Sequence, residues 1–303
     1  MSDLKLFRVQ STAAQEIPGE AVELERSLQK LIEQNLETLL GVRFLATEYS
    51  TGPKHGGRID TLGIDENGVP VIIEYKRSIN ENVINQGLFY LDWLLDHQSE
   101  FWKLVLEQYG QDAAEEIAWT GPRLLCIAGD FTRYDEHAVQ QINRNIELLR
   151  YRMFGEDLLL LELVNATTAT GELQGAAEST GGGHGKAISE TLAELEGDLR
   201  ELYDLVHDHL ASLGDDVQVK PLKYYVAFKR LKNFACVEVH TMKECVTCFL
   251  KVDPDSMDVS GQDFLRDVRD VGHYGTGDLE VTLESRDDFE RAKPLFRASY
   301  ENS

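Results

Sequence analysis

The chain of 303 residues has few cysteines and no long apolar run. Its four cysteines are too few and too scattered for the disulfide framework of a small secreted protein. No apolar stretch approaches the roughly 20 residues that cross a bilayer, and no basic segment followed by an apolar core opens the chain at MSDLKLFRVQ. We therefore expect a cytoplasmic protein without a membrane partner.

Basic residues are outnumbered in this sequence. There are 30 lysines and arginines against 53 aspartates and glutamates, which gives a net charge of −23. Such a chain repels polyanions at long range, which excludes a protein that coats nucleic acid through bulk charge. Hydrophobic residues make up 42% of the chain, enough to build folded domains.

A segment without hydrophobic periodicity divides the chain. The stretch from 163 to 188, LVNATTATGELQGAAESTGGGHGKAI, is rich in Gly, Ala, Thr and Ser, as flexible linkers are. We predict a domain over residues 1–165, a linker over 166–187 and a second domain over 188–303. Residues 1–165 carry 15 basic and 27 acidic groups, a net charge of −12, and the remainder carries 15 and 26, a net charge of −11.

The first half combines helical and strand patterns. Helical spacing of apolar residues is found in VELERSLQKLIEQNLETLL, INENVINQGLFYLDWLLD, a segment over about 100–117, and DEHAVQQINRNIELLRYRM. Strand composition is found in VRFLATEYS, GGRIDTLGID, VPVIIEYKR, RLLCIAGDF and DLLLLELV. This order predicts the α/β class, with a mixed sheet flanked by helices.

The second half predicts a smaller α+β domain. Helices are expected at ISETLAELEGDLRELYDLVHDHLASLG, GQDFLRDVRDV and SRDDFERAKPLFRASYE. Strands are expected at YYVAFKRL, FACVEVHT, CVTCFLKVD and GDLEVTLES.

Charged residues interrupt two apolar strands in the stretch GGRIDTLGIDENGVPVIIEYK, residues 56–76. Side chains i and i+2 of a strand share a face, so Glu74 and Lys76 point the same way. A two-residue turn would set Asp60 opposite Tyr75, on the other face. We predict instead the three-residue loop ENG with its glycine left-handed, because only that register brings Asp60 opposite Glu74 and gives each buried charge a partner.

Two carboxylates held opposite each other repel, and a divalent cation relieves that repulsion. Oxygen ligands select Mg²⁺ or Mn²⁺. Such an ion lowers the pKa of a bound water and neutralises charge on a phosphate, while the ammonium of Lys76 orients the water or stabilises the pentavalent state. The hairpin therefore indicates a phosphodiesterase site with Asp60 and Glu74 as metal ligands.

The same residues resemble a known superfamily. Asp60, followed 14 residues later by EYK on the next strand, resembles the PD-(D/E)xK nuclease core of RecB-type and NucS-type endonucleases. The stretch GRIDTLG is similar to the NucS-type segment around the metal-binding aspartate, and Gln86 and Tyr90 match the QxxxY helix signature of RecB-type nucleases. The resemblance covers about residues 20–165 and departs from the motif at Ile59, which replaces its proline.

This resemblance implies a restriction-endonuclease-like fold and an Mg²⁺-dependent or Mn²⁺-dependent DNA endonuclease, a hydrolase of phosphodiester bonds. Asp60 and Glu74 would bind the metal together with the carbonyl of Tyr75, and Lys76 would position the attacking water. Single-stranded or branched DNA is the substrate that the resemblance implies.

Further roles follow from the resemblance. The superfamily carries a glutamate on its first helix, and Glu25 matches it best by spacing, with Glu23 and Glu33 as alternatives. Gln86 and Tyr90, one helical turn apart, would stabilise the site or orient the DNA strand.

Basic residues offer candidate contacts to the substrate. The stretch 220–234, KPLKYYVAFKRLKNF, joins five basic and four aromatic residues without an acid. Lys223, Lys229 and Arg230 are therefore candidates for phosphate contacts beside stacked bases, and a half-buried strand with a solvated face is the alternative. Arg58 is a further candidate, because the guanidinium fork fits phosphate.

Two further motifs are interpreted structurally. Cys245 and Cys248 form CxxC, with Cys236 and His240 upstream, but an odd separation on a strand puts the two sulfurs on opposite faces. We predict buried small side chains and no zinc site. GHYGTGD, residues 272–278, does not connect a strand to a helix as a phosphate loop does, and predicts a turn into DLEVTLES.

The function of the C-terminal half stays open. Its KxYxAFK-type and HYGTGDLEV-type segments resemble an uncharacterised domain that often follows nuclease-like domains. Homodimerisation, nucleic-acid binding and partner recognition are alternatives for it. A second interpretation of the whole chain is a catalytically idle nuclease fold that acts as a binding or regulatory module, which the charge of −12 on the first domain favours.

Overall fold

The computed structural model of the protein describes residues 4–20, 25–76, 83–119, 121–169, 187–257, 259, 261–273 and 275–303, without the side chains of Glu20, Glu25 and Lys54. The chain divides into two compact units, residues 1–180 and 181–303. Within the described ranges, none of the helices is long and apolar enough to cross a bilayer.

The first unit contains a hairpin, a large sheet and helices. The hairpin consists of β1 (Leu6–Gln10) and β2 (Ala13–Ile17). The sheet consists of β3 (Gly19–Glu20), β4 (Val42–Ser50), β5 (Arg58–Asp65), β6 (Pro70–Lys76), β7 (Arg123–Ala128), β8 (Asn145–Phe154) and β9 (Leu158–Thr167). The helices are α1 (Glu25–Gln34), α2 (Leu36–Leu40), α3 (Gly52–His55), α4 (Val83–Asp96), α5 (Gln98–Glu115) and α6 (Arg133–Gln140).

The sheet of the first unit is mixed, as predicted. Its order is β3-β8-β7-β6-β5-β4, with β9 beside β8. The pairs β6–β7 and β7–β8 are parallel, and the remaining pairs are antiparallel. All six residues of β7 are buried, which fits a central parallel strand covered on both faces. The α/β fold class is confirmed.

The second unit is an antiparallel sheet with helices. Its strands are β10 (Gln218–Pro221), β11 (Val226–Lys229), β12 (Asn233–His240), β13 (Cys245–Leu250), β14 (Leu265–Asp267) and β15 (Leu279–Leu283), in the order β10-β11-β12-β13-β15-β14. The helices are α7 (Ile188–Ala193), α8 (Gly197–Ala211) and α9 (Arg286–Glu301). Residues of α8 and α9, including Val206 and Phe296, pack against one face of the sheet in a continuous apolar core.

Two predicted helices are wrong in part, and a third is wrong throughout. The helix expected over residues 135–153 ends at Gln140, and the apolar run that follows forms β8, which is buried between β7 and β9. Short apolar runs have similar sequence patterns in helices and in buried strands. The elements that pack beside such a run therefore determine whether it forms a helix or a strand. The helix expected over 188–214 is interrupted before Gly197, which has a φ of 62°. The helix expected at GQDFLRDVRDV is replaced by β14 and turns.

Candidate active site

The register of the β5–β6 hairpin is the predicted one. Thr61 pairs with Ile73 across the hairpin, so Asp60 falls opposite Glu74. The strands are joined by the three-residue loop ENG, in which Gly68 has a φ of 72°. A side chain there would be strained, and glycine adopts this conformation freely.

A buried ion triad fixes the start of this loop. Oδ1 of Asp65 accepts hydrogen bonds from the amides of Asn67 and Val69, each over 2.9 Å. Oδ2 of Asp65 accepts from the guanidinium of Arg123 over 2.7 Å, and Arg123 also binds both carboxylate oxygens of Glu147 over 2.7 and 2.9 Å. The sequence DENG predicts a turn that begins at an aspartate. It does not predict that the partner of this aspartate is Arg123, 58 residues further along the chain.

At the other end of the hairpin, side-chain carboxylates take the place of backbone carbonyls as the acceptors of the amide hydrogen bonds. The amide of Asp60 donates to Oε1 of Glu74 over 3.2 Å, and the amide of Tyr75 donates to Oδ2 of Asp60 over 3.0 Å. The two acids therefore lie on one face of the sheet, within reach of a shared ion. Oε2 of Glu74 is buried and accepts no hydrogen bond from the described part of the chain.

The environment of Glu74 disfavours its charged form. Its side chain is 0% exposed, and Cys126 on β7 lies directly beside it in the sheet register. Burial, followed by the negative charge of Asp60, raises the pKa of the Glu74 carboxyl to about 9, against the opposing effects of the hydrogen bond from the Asp60 amide and of the charge of Lys76. Burial also raises the pKa of the Cys126 thiol. Burial and the charge of Asp60 therefore favour the protonated form of Glu74 when no cation is bound.

The donor set fits a hard divalent cation. A buried carboxylate oxygen without a partner, next to a second carboxylate, is the kind of position that a cation fills. Among the residues with described side chains, no group of three or more His, Cys, Asp or Glu is placed to hold a metal. The predicted ligand Glu25 is the first residue of α1, and its side chain is outside the described set, as is all of Glu23. A third ligand therefore stays a prediction.

Glu33 does not belong to this site. Its Oε1 lies 2.6 Å from the hydroxyl of Thr61 and 3.1 Å from the amide nitrogen of Gln29. Successive strand residues point to opposite faces, so Thr61 and Glu33 lie on the reverse face from Asp60. The alternative assignment of Glu33 as a metal ligand is therefore corrected.

Gln86 and Tyr90 meet beside the strand that carries Asp60. The hydroxyl of Tyr90 accepts from the amide of Arg58 over 3.1 Å and from the side chain of Gln86 over 3.3 Å. A Cβ at Gly57 would lie 2.5 Å from the Tyr90 ring, so this approach requires glycine. The guanidinium of Arg58 is largely exposed and pairs with Glu48 over 3.0 Å. These contacts hold the first residues of β5 in place.

Comparisons with known proteins leave the activity open. The profile of a domain of unknown function (DUF5655) matches residues 188–303. An uncharacterized protein of Haemophilus influenzae is 25% identical over 295 residues, which are 93% of this chain and 94% of that protein. The similarity extends over nearly the whole length of both chains.

Two solved structures show a more limited similarity. One is a repair endonuclease from Pyrococcus abyssi, with 21% identity over 43% of this chain and 48% of that one, and a TM-score of 0.29. The other is an EndoMS–dsDNA complex, with 21% identity over 43% of this chain and 47% of that one, and a TM-score of 0.25. The chain spans about half the length of these solved chains.

The basic stretch 220–234 is partly buried in the second unit. Lys229 is only 3% exposed, and Arg230 is held by Asp216 over 2.6 Å. The guanidinium of Arg230 also lies 4.5 Å from the centre of the Tyr300 ring. Three of the four aromatic side chains are buried: Tyr225, Phe228 and Phe234. Of the three predicted substrate contacts here, Lys223 alone is exposed, and burial argues against Lys229.

The predicted burial of the cysteines is confirmed. All four are free and buried. On β13, Cys248 pairs with Val237 and Cys245 pairs with His240, so the CxxC sulfurs point to opposite faces of the sheet. The segment GHYGTGD ends at β15, as the turn prediction requires.

Proposed function

We propose that the first unit is a metal-dependent phosphodiesterase acting on DNA, an endonuclease of the PD-(D/E)xK type. The observation that carries this proposal is the pairing of Asp60 with a fully buried Glu74 whose Oε2 accepts no hydrogen bond from the described residues. A protein that did not bind a cation here would gain stability from an apolar residue at position 74.

Each residue of the site has a distinct role in the proposal. Asp60 and Glu74 would hold a Mg²⁺ or Mn²⁺ ion, with Glu25 as an additional ligand. When bound, the ion supplies a water of lowered pKa and neutralises charge on the phosphate. Lys76 holds a positive charge near Glu74, as its opposing effect on the Glu74 pKa indicates, and would orient the attacking water.

Tyr90 and Gln86 act through the backbone. The hydroxyl of Tyr90 accepts from the amide of Arg58, two residues before Asp60, and the side chain of Gln86 donates to the same hydroxyl. They are therefore positioning residues that keep the Asp60 carboxylate aligned with Glu74. The exposed guanidinium of Arg58 would exchange its partner Glu48 for a phosphate of the DNA strand.

Cleavage of defined DNA substrates tests the proposal. Single-stranded, duplex and flap DNA would each be incubated with the protein in Mg²⁺, Mn²⁺ or EDTA. We expect cleavage that requires the metal and is lost by at least 100-fold in Asp60→Asn and Lys76→Ala. Asp92→Asn, an exposed acid on α4, is the matched control and should keep full activity.

The outcomes separate the two interpretations of the chain. Metal binding to the wild-type protein without cleavage of any of the three substrates would indicate the idle binding or regulatory module. Cleavage that persists in both active-site variants would indicate a contaminating nuclease. Preference for the single-stranded or flap substrate would support unpaired DNA as the substrate class.

A further inference from the structure

Aromatic side chains form a row beside the strand that carries Asp60. The centre of the Phe89 ring lies 5.8 Å from that of Tyr90 and 5.6 Å from that of His55. The His55 ring lies 5.5 Å from that of His97, which stacks on Trp93 over 4.7 Å at an angle of 17°. We call these five side chains the aromatic row.

The helix that supplies three of these rings lies on the face of the sheet that carries the carboxylate pair. A Cβ at Gly87 of α4 would collide with the side chain of Leu124 on β7, so α4 packs on the face to which Leu124 points. Cys126 shares that face with Leu124, because the two residues are two positions apart on the strand. Cys126 in turn lies beside Glu74 in the sheet register. The aromatic row is therefore next to the candidate active site and on its side of the sheet.

Phe89 is the exposed end of the row. It is 47% exposed, whereas Tyr90 and Trp93 are 5% and 1% exposed. A single exposed phenylalanine is ordinary on a protein surface. Here the rings of His55 and Tyr90 contact it from two sides and restrict its orientation. A ring that is already restricted loses little side-chain entropy when a planar group stacks on it.

The charges around Phe89 distinguish a base from a phosphate. Asp92 and Asp96 are exposed on α4 and repel phosphate groups from this helix. The guanidinium of Arg58, which suits phosphate, is 65% exposed, and its backbone amide is held by Tyr90 of the row. A DNA strand matches both features when its phosphate lies at Arg58 and its base points toward α4. The π face of any base can then stack on a phenylalanine ring.

We propose that Phe89 stacks on an unpaired base of the DNA strand that is cleaved, with the ring of His55 beside it. The bases inside a duplex are covered on both faces by their neighbours, so only an unpaired or extruded base can occupy this position. This inference rests on the proposed nuclease function of the first unit. It makes Phe89 the residue that determines a preference for unpaired DNA.

Two substitutions at Phe89 test this role in cleavage by the full-length protein. Phe89→Ala removes the ring, and Phe89→Tyr keeps it. Loss of one stacked base weakens binding by roughly 5–150-fold. The KM for single-stranded DNA should therefore rise by about tenfold or more in Phe89→Ala, with kcat unchanged, and should keep its wild-type value in Phe89→Tyr.

Duplex DNA and a second exposed aromatic residue provide the controls. The KM for an intact duplex should be the same in the wild-type protein and in both Phe89 variants. Trp102→Ala, at a tryptophan of α5 that is 40% exposed, should leave the KM for single-stranded DNA unchanged. An unchanged KM for single-stranded DNA in Phe89→Ala would overturn the proposal, as would an equal rise for duplex DNA.

Binding in EDTA separates this proposal from the nuclease assignment. A single-stranded oligonucleotide that contains 2-aminopurine reports stacking by quenching of its fluorescence, without cleavage. The wild-type protein and Phe89→Tyr should quench the probe, and Phe89→Ala should need about tenfold more protein or higher. This result without cleavage in Mg²⁺ or Mn²⁺ would support the stacking and overturn the nuclease assignment alone. Cleavage of single-stranded DNA with equal quenching in Phe89→Ala would overturn the stacking alone.

Discussion

Asp65 uses its two carboxylate oxygens for different tasks, and Arg123 holds one of them. Oδ1 closes the hairpin loop through two backbone amides, and Oδ2 lies 2.7 Å from Nη1 of Arg123. The side chains of both residues are almost fully buried, at 3% and 4% exposure. The loop that sets the register of Asp60 against Glu74 is therefore tied to the centre of the sheet, far along the strands from the carboxylate pair.

Removal of this guanidinium should be costly. Arg123→Met leaves the carboxylates of Asp65 and Glu147 buried without a cation, and breaking a buried ion network costs about 3–5 kcal/mol. Urea unfolding of the variant should show this loss. Arg150→Met is the control, because Asp130 and Glu162 keep 20% and 31% exposure and stay hydrated, so its loss should be smaller. Equal losses in the two variants would contradict the role of the triad.

The protonation of Glu74 predicts a pH dependence of stability. Burial and the charge of Asp60 raise its pKa from 4.5 to about 9 in the folded protein. Between these values the folded protein holds a proton that the unfolded chain has released, so the free energy of unfolding falls as pH rises, by at most about 1.4 kcal/mol per pH unit. Below the unfolded pKa this contribution is fully present, and above about pH 9 it is lost.

Glu74→Gln isolates this effect. The amide does not titrate, so the variant should become more stable than the wild-type protein as pH rises from 5 to 9, under metal-free conditions. Urea unfolding in EDTA at several pH values measures the difference. Asp92→Asn, the exposed acid on α4, should follow the wild-type curve. Parallel curves for wild type and Glu74→Gln would show that Glu74 is ionised in the metal-free protein.

Metal binding should release a proton from the same group. A cation ligated by Glu74 requires the carboxylate form, whereas the metal-free site holds the acid at pH 7. Titration of Mn²⁺ in buffers of different ionisation enthalpy should therefore report about one proton released per ion at pH 7. The number should fall toward zero as pH approaches 10, and Asp60→Asn should weaken binding. Binding without proton release would contradict the assigned ligand.

The sequence predicted the part of the site that depends on local spacing. The alternation of side chains left a two-residue and a three-residue turn open, and the need of each buried charge for a partner selected the loop ENG, which places Asp60 opposite Glu74. The i to i+4 spacing was enough to bring Gln86 and Tyr90 together. Tertiary context decided the rest. The pairing of Asp65 with Arg123 spans 58 residues, and the burial of Lys229 follows from strand pairing in the second unit. Neither the Asp65–Arg123 pair nor the burial of Lys229 can be predicted from the residues next to them in sequence.

Dependence on tertiary context also explains why a helix was predicted where β8 forms. IELLRYRMF satisfies helical spacing almost as well as strand alternation, and the choice is made by β7 and β9 on either side. The register of β5 was decided by residues close in sequence, because the charges of Asp60 and Glu74 distinguish the two possible turns and the glycine of the longer one adopts the left-handed conformation.

Tyr90 offers a test of positioning that is separate from metal ligation. Tyr90→Phe removes the hydroxyl that accepts from the amide of Arg58, and loss of such a part-buried hydrogen bond costs about 0.5–1.5 kcal/mol. Tyr134→Phe, at an exposed tyrosine on α6, should change stability by less than about 0.5 kcal/mol.

The first residues of β5 should loosen in Tyr90→Phe, so hydrogen exchange of the Arg58 amide should accelerate while that of Ile73 stays slow. Because the ligands are intact, Mn²⁺ should still bind and release its proton. Loss of Mn²⁺ binding in a folded Tyr90→Phe protein would instead place the hydroxyl among the groups that hold the ion.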